Sequence, residues 1–349
     1  MRRNQTNRVT IGSLSIGGPS PVAVQSMTNT DTRNVAATVK QIHDLENAGC
    51  QLIRVAVPDL EAASAIKQIK AQINLPLVAD IHFDYQLALA AMTHGADKLR
   101  INPGNIGSRE RVKMITEMAK DKGIPIRIGV NAGSLDRAIL SRYGHPTAEA
   151  LVESALQHVT ILEALHFENI VLSLKASNLA TMVDAYRIIS KKVPYPLHLG
   201  VTEAGGIEQG TIKSAVGIGS LLLDGIGDTI RVSLTGDPVL EIDAAKKILR
   251  AVGLLKDRVN VVSCPTCGRC EIDLIALAKE IETHLEKMQK DLTVAIMGCA
   301  VNGPGEAREA DVGIAGGKGS ALLFRKGKVI RKVKESHIIE ELLKEINRL

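Results

Sequence analysis

Four of the five cysteines in the chain lie in its C-terminal quarter. Three of them share the segment CPTCGRC, as Cys264, Cys267 and Cys270, and the fourth is Cys299 in the stretch MGCAVNGPGEA. Glu306 follows Cys299 across a Gly-Pro-Gly sequence. In a cytoplasmic protein, where thiols stay reduced, such a group of cysteines predicts a metal site rather than disulfides.

The spacing leaves zinc and an iron–sulfur cluster as candidates. A zinc site made of two Cys-x2-Cys pairs would lack its second pair, because Cys299 has only Glu306 as a possible ligand close by. A bacterial ferredoxin sequence would need a cysteine at position 274, which is Leu274. A radical-SAM site would need three residues between its first two cysteines, and this chain has two. The pattern therefore favours three thiolates and one oxygen ligand.

A [4Fe–4S] cluster held by three cysteines leaves one iron different from the others. The first pair of thiolates is either Cys264 with Cys267 or Cys267 with Cys270. Our hypothesis is that Cys299 completes the set and that Glu306 binds the remaining iron until a substrate displaces it, because a carboxylate is a harder and more easily displaced ligand than a thiolate. The alternative is that Glu306 is only a surface residue after a turn.

Short β-rich segments alternate with amphipathic helical stretches through the first 255 residues. The predicted strands are 22–27, 52–57, 76–81, 98–102, 124–130, 169–174, 197–202 and 229–234. Between them, NVAATVKQIHDLENAG has apolar residues near a 3.6 period, and SRERVKMITEMAKDKG opens on a serine cap and closes on Gly123. Eight such units are typical of a (β/α)8 barrel, whereas a doubly wound sheet, the alternative, more often has five or six strands. We predict an α/β chain with an N-terminal TIM barrel over 1–255 and a smaller C-terminal α+β domain over 256–349.

Polar side chains lie where the predicted strands end, and in a barrel that end carries the chemistry. Five of them are cations, namely Arg54, Arg100, Arg127, Lys175 and Arg231. The others are Gln25, Asp80, His82, Asn102, Asn131, Ser173, Thr202, Glu203 and Ser233. Five cations at one barrel mouth would repel one another unless an anion lies among them, and their geometry matches phosphate oxygens. The pattern predicts a ligand with two phosphates, bound with help from the loops TEAGGIEQG and LTGDP.

The overall composition excludes several classes of protein. Hydrophobic residues make up 45% of the chain and charged residues 23%, which indicates a packed globular core, while the 2% of aromatic residues argues against single-stranded nucleic-acid binding. The net charge of +5 suits a small anionic substrate. The basic stretch at 325–334 predicts an exposed hairpin that turns at Gly327 rather than a nucleic-acid site. No secretory signal or membrane span is expected, so we expect a cytoplasmic protein.

Several long motifs resemble one family over nearly the whole chain, in order. They are VQSMTNT, RVAVPD, VADIHFD, LRINPGNIG, IGVNAGSL, LHLGVTEAGG, SLLLDGIGDTIRVSLTGDP, CPTCGR and MGCAVNGPGEA. The chain resembles the bacterial 4-hydroxy-3-methylbut-2-en-1-yl diphosphate synthases. The resemblance implies an oxidoreductase of the non-mevalonate isoprenoid pathway with a [4Fe–4S] cluster. Its substrate would be 2-C-methyl-D-erythritol 2,4-cyclodiphosphate, opened by two-electron reduction with loss of water.

The resemblance also implies partners and ligands. Electrons would come singly from reduced flavodoxin or ferredoxin, and the chains would form head-to-tail homodimers. The cluster ligands carried over by the motifs are Cys264, Cys267, Cys299 and Glu306. Cys270 lies where the family needs no cysteine, and Cys50 is expected in the core.

Each strand-end residue then acquires a role as a hypothesis. The five cations would bind the diphosphate, and the residues that would donate hydrogen bonds to it are Asn102, Asn131, Thr202 and Ser233. Asp80 and His82 would orient the substrate, and Glu203 would protonate the departing hydroxyl.

Two other classes of protein remain as alternatives. One is a barrel lyase or transferase for phosphorylated substrates with a structural zinc domain, similar to the pterin-condensing barrels. The other is an iron–sulfur electron carrier or sensor joined to a barrel that has lost its activity, which the complete set of strand-end cations argues against.

Overall fold

The computed structural model describes residues 3–286, 288–299, 305 and 307–349. The chain divides into two compact units, Met1–Leu254 and Leu255–Leu349. Within the described residues, no helix has the length and apolar character needed to cross a membrane.

Eight parallel strands form the first unit. They are β3 (Ala23–Met27), β4 (Leu52–Ala56), β5 (Leu77–Asp80), β6 (Lys98–Ile101), β7 (Ile126–Asn131), β8 (Ile170–Lys175), β9 (His198–Leu199) and β10 (Thr229–Ile230). The strand order is β8-β7-β6-β5-β4-β3-β10-β9, and a bridge between Leu172 and Leu197 closes the ring. The predicted TIM barrel is confirmed, and the doubly wound alternative is wrong because its sheet would have two free edges.

Two of the eight strands are shorter than predicted. The segments expected at 197–202 and 229–234 are strands only over His198–Leu199 and Thr229–Ile230. Apart from the Leu197 bridge and the hydrogen bond from the Arg231 N–H to the Leu199 carbonyl, their remaining residues leave the ladder and form loops at the barrel mouth. Polar residues in these loops are therefore positioned by turns and not by strand register.

Helices cover the outside of the barrel. They are α1 (Val35–Ala48), α2 (Leu60–Lys70), α3 (Tyr85–Thr93), α4 (Pro103–Ile106), α5 (Arg109–Asp121), α6 (Arg137–Tyr143), α7 (Ala148–Glu163), α8 (Leu179–Ile189), α9 (Ile207–Leu223) and α10 (Pro238–Ala251). Most begin at a side-chain cap, as where Asn34 accepts the N–H of Ala37. Ser108 occupies the N-cap position of α5, as expected, but its side chain accepts no backbone hydrogen bond there.

An N-terminal hairpin closes one end of the barrel. Its strands, β1 (Val9–Ile11) and β2 (Leu14–Ile16), pack against side chains from the early part of the barrel strands, including Ala23, Leu52 and Val171. This end is apolar. The polar residues of the same strands therefore lie further along, toward the carboxyl ends.

The second unit is a five-stranded mixed sheet with helices on one face. Its strands are β11 (Asn260–Ser263), β12 (Thr293–Met297), β13 (Val312–Gly317), β14 (Ser320–Arg325) and β15 (Lys328–Lys334), and its helices are α11 (Leu274–Leu285) and α12 (Ile338–Asn347). The first three strands are parallel and the last three antiparallel. The predicted hairpin is confirmed, and its two-residue turn uses Lys326 and Gly327, both with positive φ.

Candidate active site

Most of the predicted cations are buried together in the barrel interior. Those no more than 8% exposed are Arg54, Arg100, Arg127 and Lys175. Burial lowers the pKa of Arg54 to about 10, with Asp80 opposing the shift and Arg231 and Arg100 adding to it. The five cations predicted from five separate strand ends therefore form one cluster.

Asp80 is the acid that the cluster shares. Its carboxylate accepts a hydrogen bond from Nη1 of Arg100 at 3.1 Å, and its other oxygen lies 3.7 Å from Nε of Arg54 and 3.4 Å from Nε2 of His82. Burial alone would raise the pKa of Asp80, but Arg54, the His82 hydrogen bond and Arg100 outweigh it and hold that pKa far below its usual range. Asp80 is therefore ionised and fixes two guanidinium groups and the mostly exposed His82 ring.

A second acid, Glu241, comes from helix α10. Its Oε1 lies 3.8 Å from Nη2 of Arg231 and accepts the N–H of Leu234 at 3.0 Å, and Oε2 accepts from the Ser26 hydroxyl at 3.3 Å. Burial raises the pKa of Glu241, and Arg231 opposes that shift. The sequence reading missed this residue because a glutamate on an amphipathic helix has no distinguishing local pattern.

Two carboxylates do not neutralise the cluster. Within the part of the chain that the structure describes, ion pairs reach Arg54, Arg100 and Arg231 but not Arg127 or Lys175. Nε and Nη1 of Arg127 are buried without a hydrogen-bond partner. Burial, followed by the charges of Arg231 and Arg127, lowers the pKa of Lys175 well below its usual value. A barrel interior with this excess of donors and positive charge is suited to an anion.

Two glycines make room for the cations. A Cβ on Gly129 of β7 would lie 2.8 Å from Nε of Arg100, and one on Gly200 would lie 2.9 Å from Nζ of Lys175 and 2.8 Å from the carbonyl oxygen of Arg231. Both glycines therefore have a steric function at the site. Sequence reading could not have found it, because the crowding atoms come from other strands.

The loops after β9 and β10 are joined at the barrel mouth. The N–H of Thr235 donates to the carbonyl of Gly205 at 3.0 Å, which brings the two predicted phosphate loops together. Glu203 in the first loop is exposed and has φ of 55°, a conformation that a residue with a side chain adopts at a cost of about 1–3 kcal/mol. Strain of this kind is common at functional sites, and the role expected for Glu203 stays a prediction.

The predicted hydrogen-bond donors lie at or near strand ends. Asn102 is buried, and its carboxamide oxygen accepts the N–H of Gly104 at the start of α4, which leaves its NH2 group as the donor. Asn131 ends β7, and Thr202 and Ser233 lie in the loops after β9 and β10; all three are half-buried. The three half-buried residues are accessible to a ligand at the mouth.

Parallel pairing of β11 and β12 brings the cysteine segments together. Cys264 follows β11, and its Sγ accepts the N–H of Gly298, the residue before Cys299, at 3.1 Å. A Cβ on Gly298 would lie 2.5 Å from Sγ of Cys270, whose thiol donates to the Ile272 carbonyl at 3.2 Å. Segments distant in sequence thus meet at the carboxyl ends of two adjacent strands.

The cysteines and N–H groups in this region fit an iron–sulfur cluster held by thiolates. Cys267 is exposed, and a hydrogen bond from the Arg269 backbone is the main cause of its lowered pKa. An N–H donor to sulfur, as at Cys267, favours the thiolate form that iron ligation requires. Glu306 lies outside the described residues, and in the residues that are described no three His, Cys, Asp or Glu side chains converge on a single metal-ion position. This does not contradict a four-iron cluster, because each of its thiolates binds a different iron and the side chains need not converge on one position.

Comparisons with known proteins agree over both units. Residues 6–246 match the GcpE TIM-barrel domain, and residues 260–348 match the GcpE protein C-terminal domain. The chain is 61% identical to the 4-hydroxy-3-methylbut-2-en-1-yl diphosphate synthase (flavodoxin) of Clostridium perfringens over 99% of each protein. It is 60% identical to the protein of the same name from Clostridium acetobutylicum over 100% of each.

A solved structure resembles the barrel. The dihydropteroate synthase of Yersinia pestis aligns with a TM-score of 0.51 and 15% identity, over 70% of this chain and 97% of that one. At this identity the likeness concerns the fold alone.

Proposed function

Because the chain belongs to the GcpE family, we propose that it is a 4-hydroxy-3-methylbut-2-en-1-yl diphosphate synthase of the non-mevalonate isoprenoid pathway. The reaction opens the ring of 2-C-methyl-D-erythritol 2,4-cyclodiphosphate, takes up two electrons, releases one hydroxyl as water and leaves (E)-4-hydroxy-3-methylbut-2-enyl diphosphate. The observation that carries the proposal is the cluster of five buried or half-buried cations that share two carboxylates in the barrel interior.

The cations hold the two phosphates. Arg127 and Lys175, which form no ion pair with a carboxylate of the described residues, bind phosphate oxygens directly. Arg54, Arg100 and Arg231 are held in place by their acids. Hydrogen bonds to the ligand come from Asn102, Asn131, Thr202 and Ser233. The joined loops after β9 and β10 add backbone N–H groups to the phosphate site.

Asp80 and His82 orient the organic part of the substrate, since both lie at the mouth beside Arg100. Glu203 donates the proton with which the hydroxyl leaves as water. Its strained backbone agrees with that role.

A [4Fe–4S] cluster bound by Cys264, Cys267, Cys299 and Glu306 would supply the electrons one at a time. Reduced flavodoxin is the donor named for the Clostridium relatives, and ferredoxin is the second candidate. We include a head-to-tail homodimer in the proposal, because the phosphate-binding cations and the cysteine segments belong to different units of the chain.

The first test is the iron, sulfide and zinc content and the visible spectrum of protein purified without oxygen. We expect about four irons per chain and a broad brown absorbance. Cys264→Ser should lose the iron, whereas Cys50→Ser, a change at a buried thiol in the barrel, should keep it. One zinc per chain and no colour would refute the redox mechanism and favour the lyase or transferase alternative.

The second test separates substrate binding from the cluster. Lys175→Ala should weaken binding of the cyclic diphosphate and leave the visible spectrum unchanged. Loss of the cluster in this variant would contradict the assignment of Lys175 to the phosphates. Glu203→Gln should reduce turnover more than binding, and unchanged turnover would remove Glu203 from the mechanism.

A further inference from the structure

Lys98 is a buried cation that the proposed mechanism does not use. It begins β6 two residues before Arg100, so both side chains lie on the same side of the strand, in the barrel interior. Lys98 has no exposed surface, and its Nζ has no hydrogen-bond partner among the residues that the structure describes. A buried amine without a partner is strongly unfavourable as an ammonium ion, so its presence needs an explanation.

The neighbours of Lys98 do not supply a counter-ion. The charged and titratable groups of the interior are Arg54 on β4, Asp80 on β5, Arg100 on β6, Arg127 on β7, Lys175 on β8, His198 on β9, Arg231 after β10 and Glu241 on α10, which pairs with Arg231. Burial, followed by the charges of Arg127 and Arg54, holds the pKa of Lys98 well below its usual value. Asp80 forms its close contacts with Arg54, Arg100 and His82 instead.

Other interior groups share this lack of partners. Nε2 of His198 is fully buried and unpaired, while its Nδ1 lies 2.8 Å from the Thr229 hydroxyl. Both polar atoms of the Gln25 carboxamide are also buried and unpaired. Burial, followed by the charges of Arg127, Lys175 and Lys98, lowers the pKa of His198, so the imidazole is neutral. Unpaired polar groups from three strands thus lie in the interior with the free donors of Arg127.

Resting on the proposed function, we propose that Lys98 is a sixth cation of the diphosphate site, that its amine forms the inner wall of that site, and that it takes up a proton when the diphosphate binds. In the ligand-free protein the amine is neutral. The cyclic diphosphate carries one negative charge on each phosphate. An oxygen of the ligand accepts a hydrogen bond from the new ammonium and so compensates for its burial, and the negative charge offsets the charges of Arg127 and Arg54. The proton comes from the solvent, and no bond of the substrate changes.

Isothermal titration calorimetry tests this on the anaerobically purified holoenzyme. Cyclic diphosphate is titrated at one pH in two buffers of different ionisation enthalpy, and the difference in heat gives the protons taken up. Lys98→Met should reduce the uptake by about one proton and weaken binding by about 10- to 100-fold, since a hydrogen bond to a charged group is lost. Lys67→Met, at an exposed position on α2, is the matched control and should leave both quantities unchanged.

Several results would overturn the inference. Lys98→Met with unchanged affinity and proton uptake would show that the amine does not meet the ligand. A lower unfolding temperature of ligand-free Lys98→Met with normal binding would indicate a structural role, whereas we expect the variant to be at least as stable as the unchanged protein. Inorganic pyrophosphate serves as a second probe. If the cyclic diphosphate does not bind but pyrophosphate binds with Lys98-dependent uptake, the proposed substrate fails and the Lys98 site stands; if neither binds, both fail.

Discussion

Gly129→Ala should displace the Arg100 guanidinium while leaving the barrel folded. The new methyl carbon would lie 2.8 Å from Nε, 3.2 Å from Nη2 and 3.4 Å from Cζ of Arg100. An ordinary contact begins at about 3.5 Å, so the guanidinium must move by roughly 0.7 Å or more. All three crowding atoms belong to a flexible side chain, and Gly129 does not have a positive φ, so the backbone of β7 can accept alanine.

The displacement has a calculable effect on binding. Arg100 would lose its 3.1 Å hydrogen bond to Asp80 and its alignment with the ligand. A hydrogen bond to a charged group contributes about 1.5–3 kcal/mol, which corresponds to about a 10- to 150-fold weaker affinity for the cyclic diphosphate. Turnover should fall at least as much, because misplacement by about 1 Å can cost about 100-fold in rate. Calorimetric titration measures the first quantity and steady-state kinetics the second.

Gly219→Ala is the matched control for this experiment. Gly219 is buried in helix α9, and a Cβ there would meet only Cγ1 of Val252 at 4.0 Å. This variant should bind and turn over normally, and circular dichroism should show both proteins folded. Adding Arg100→Ala to Gly129→Ala should cause little further loss, because both changes remove the same interaction. Full affinity in Gly129→Ala would refute the argument that the glycine exists to admit Arg100.

Three further predictions concern acids and thiols. Asp80→Asn should lower the free energy of unfolding at pH 7 by about 3 kcal/mol, because a buried pair is broken. Because the pKa of Asp80 is depressed in the folded protein, its contribution to stability is complete above the unfolded-state pKa and is lost as the pH falls. The difference in unfolding free energy between Asp80→Asn and the unchanged protein, measured by denaturant titration, should therefore become smaller below about pH 4. Glu241→Gln should weaken diphosphate binding by releasing Arg231, and unchanged affinity would show that the 3.8 Å contact does not position it. In cluster-free protein, iodoacetamide should alkylate Cys267 first and Cys50 last. Cys267 is exposed and has a lowered pKa, whereas burial raises the pKa of Cys50 to about 11. Peptide mass spectrometry measures the order of alkylation, and the reverse order would contradict the prediction.

Much of the fold could be predicted from local patterns. Alternating apolar residues, caps and glycines report secondary structure within a few residues, and eight repeats of one unit specify a closed barrel. The hairpin at Gly327 follows from the same logic, because a two-residue turn requires positive φ. The predicted lengths of the two strands before Thr202 and Ser233 were too great, because local patterns do not show where a ladder of hydrogen bonds ends.

The residues of the candidate site likewise fall into those that local patterns could predict and those that they could not. Charged residues such as Arg54 and Lys175 were recognisable because they occupy strand ends, where buried strands otherwise carry aliphatic side chains. Residues whose role depends on another strand or helix were not recognisable, and the clearest case is Glu241, which acts on Arg231 from the outer helix layer.

The sequence by itself determined which chemical groups are available and which end of the barrel carries them, because side-chain alternation and chain order are local properties. Only the tertiary structure decided that Asp80 serves two arginines at once and that Gly129 is small so that Arg100 can pass. It also decided that the Lys98 amine has no hydrogen-bond partner in the described part of the chain. Closing the barrel brings strands that are distant in sequence within a few ångströms, and the energy of a buried charge depends on those neighbours and not on its own segment.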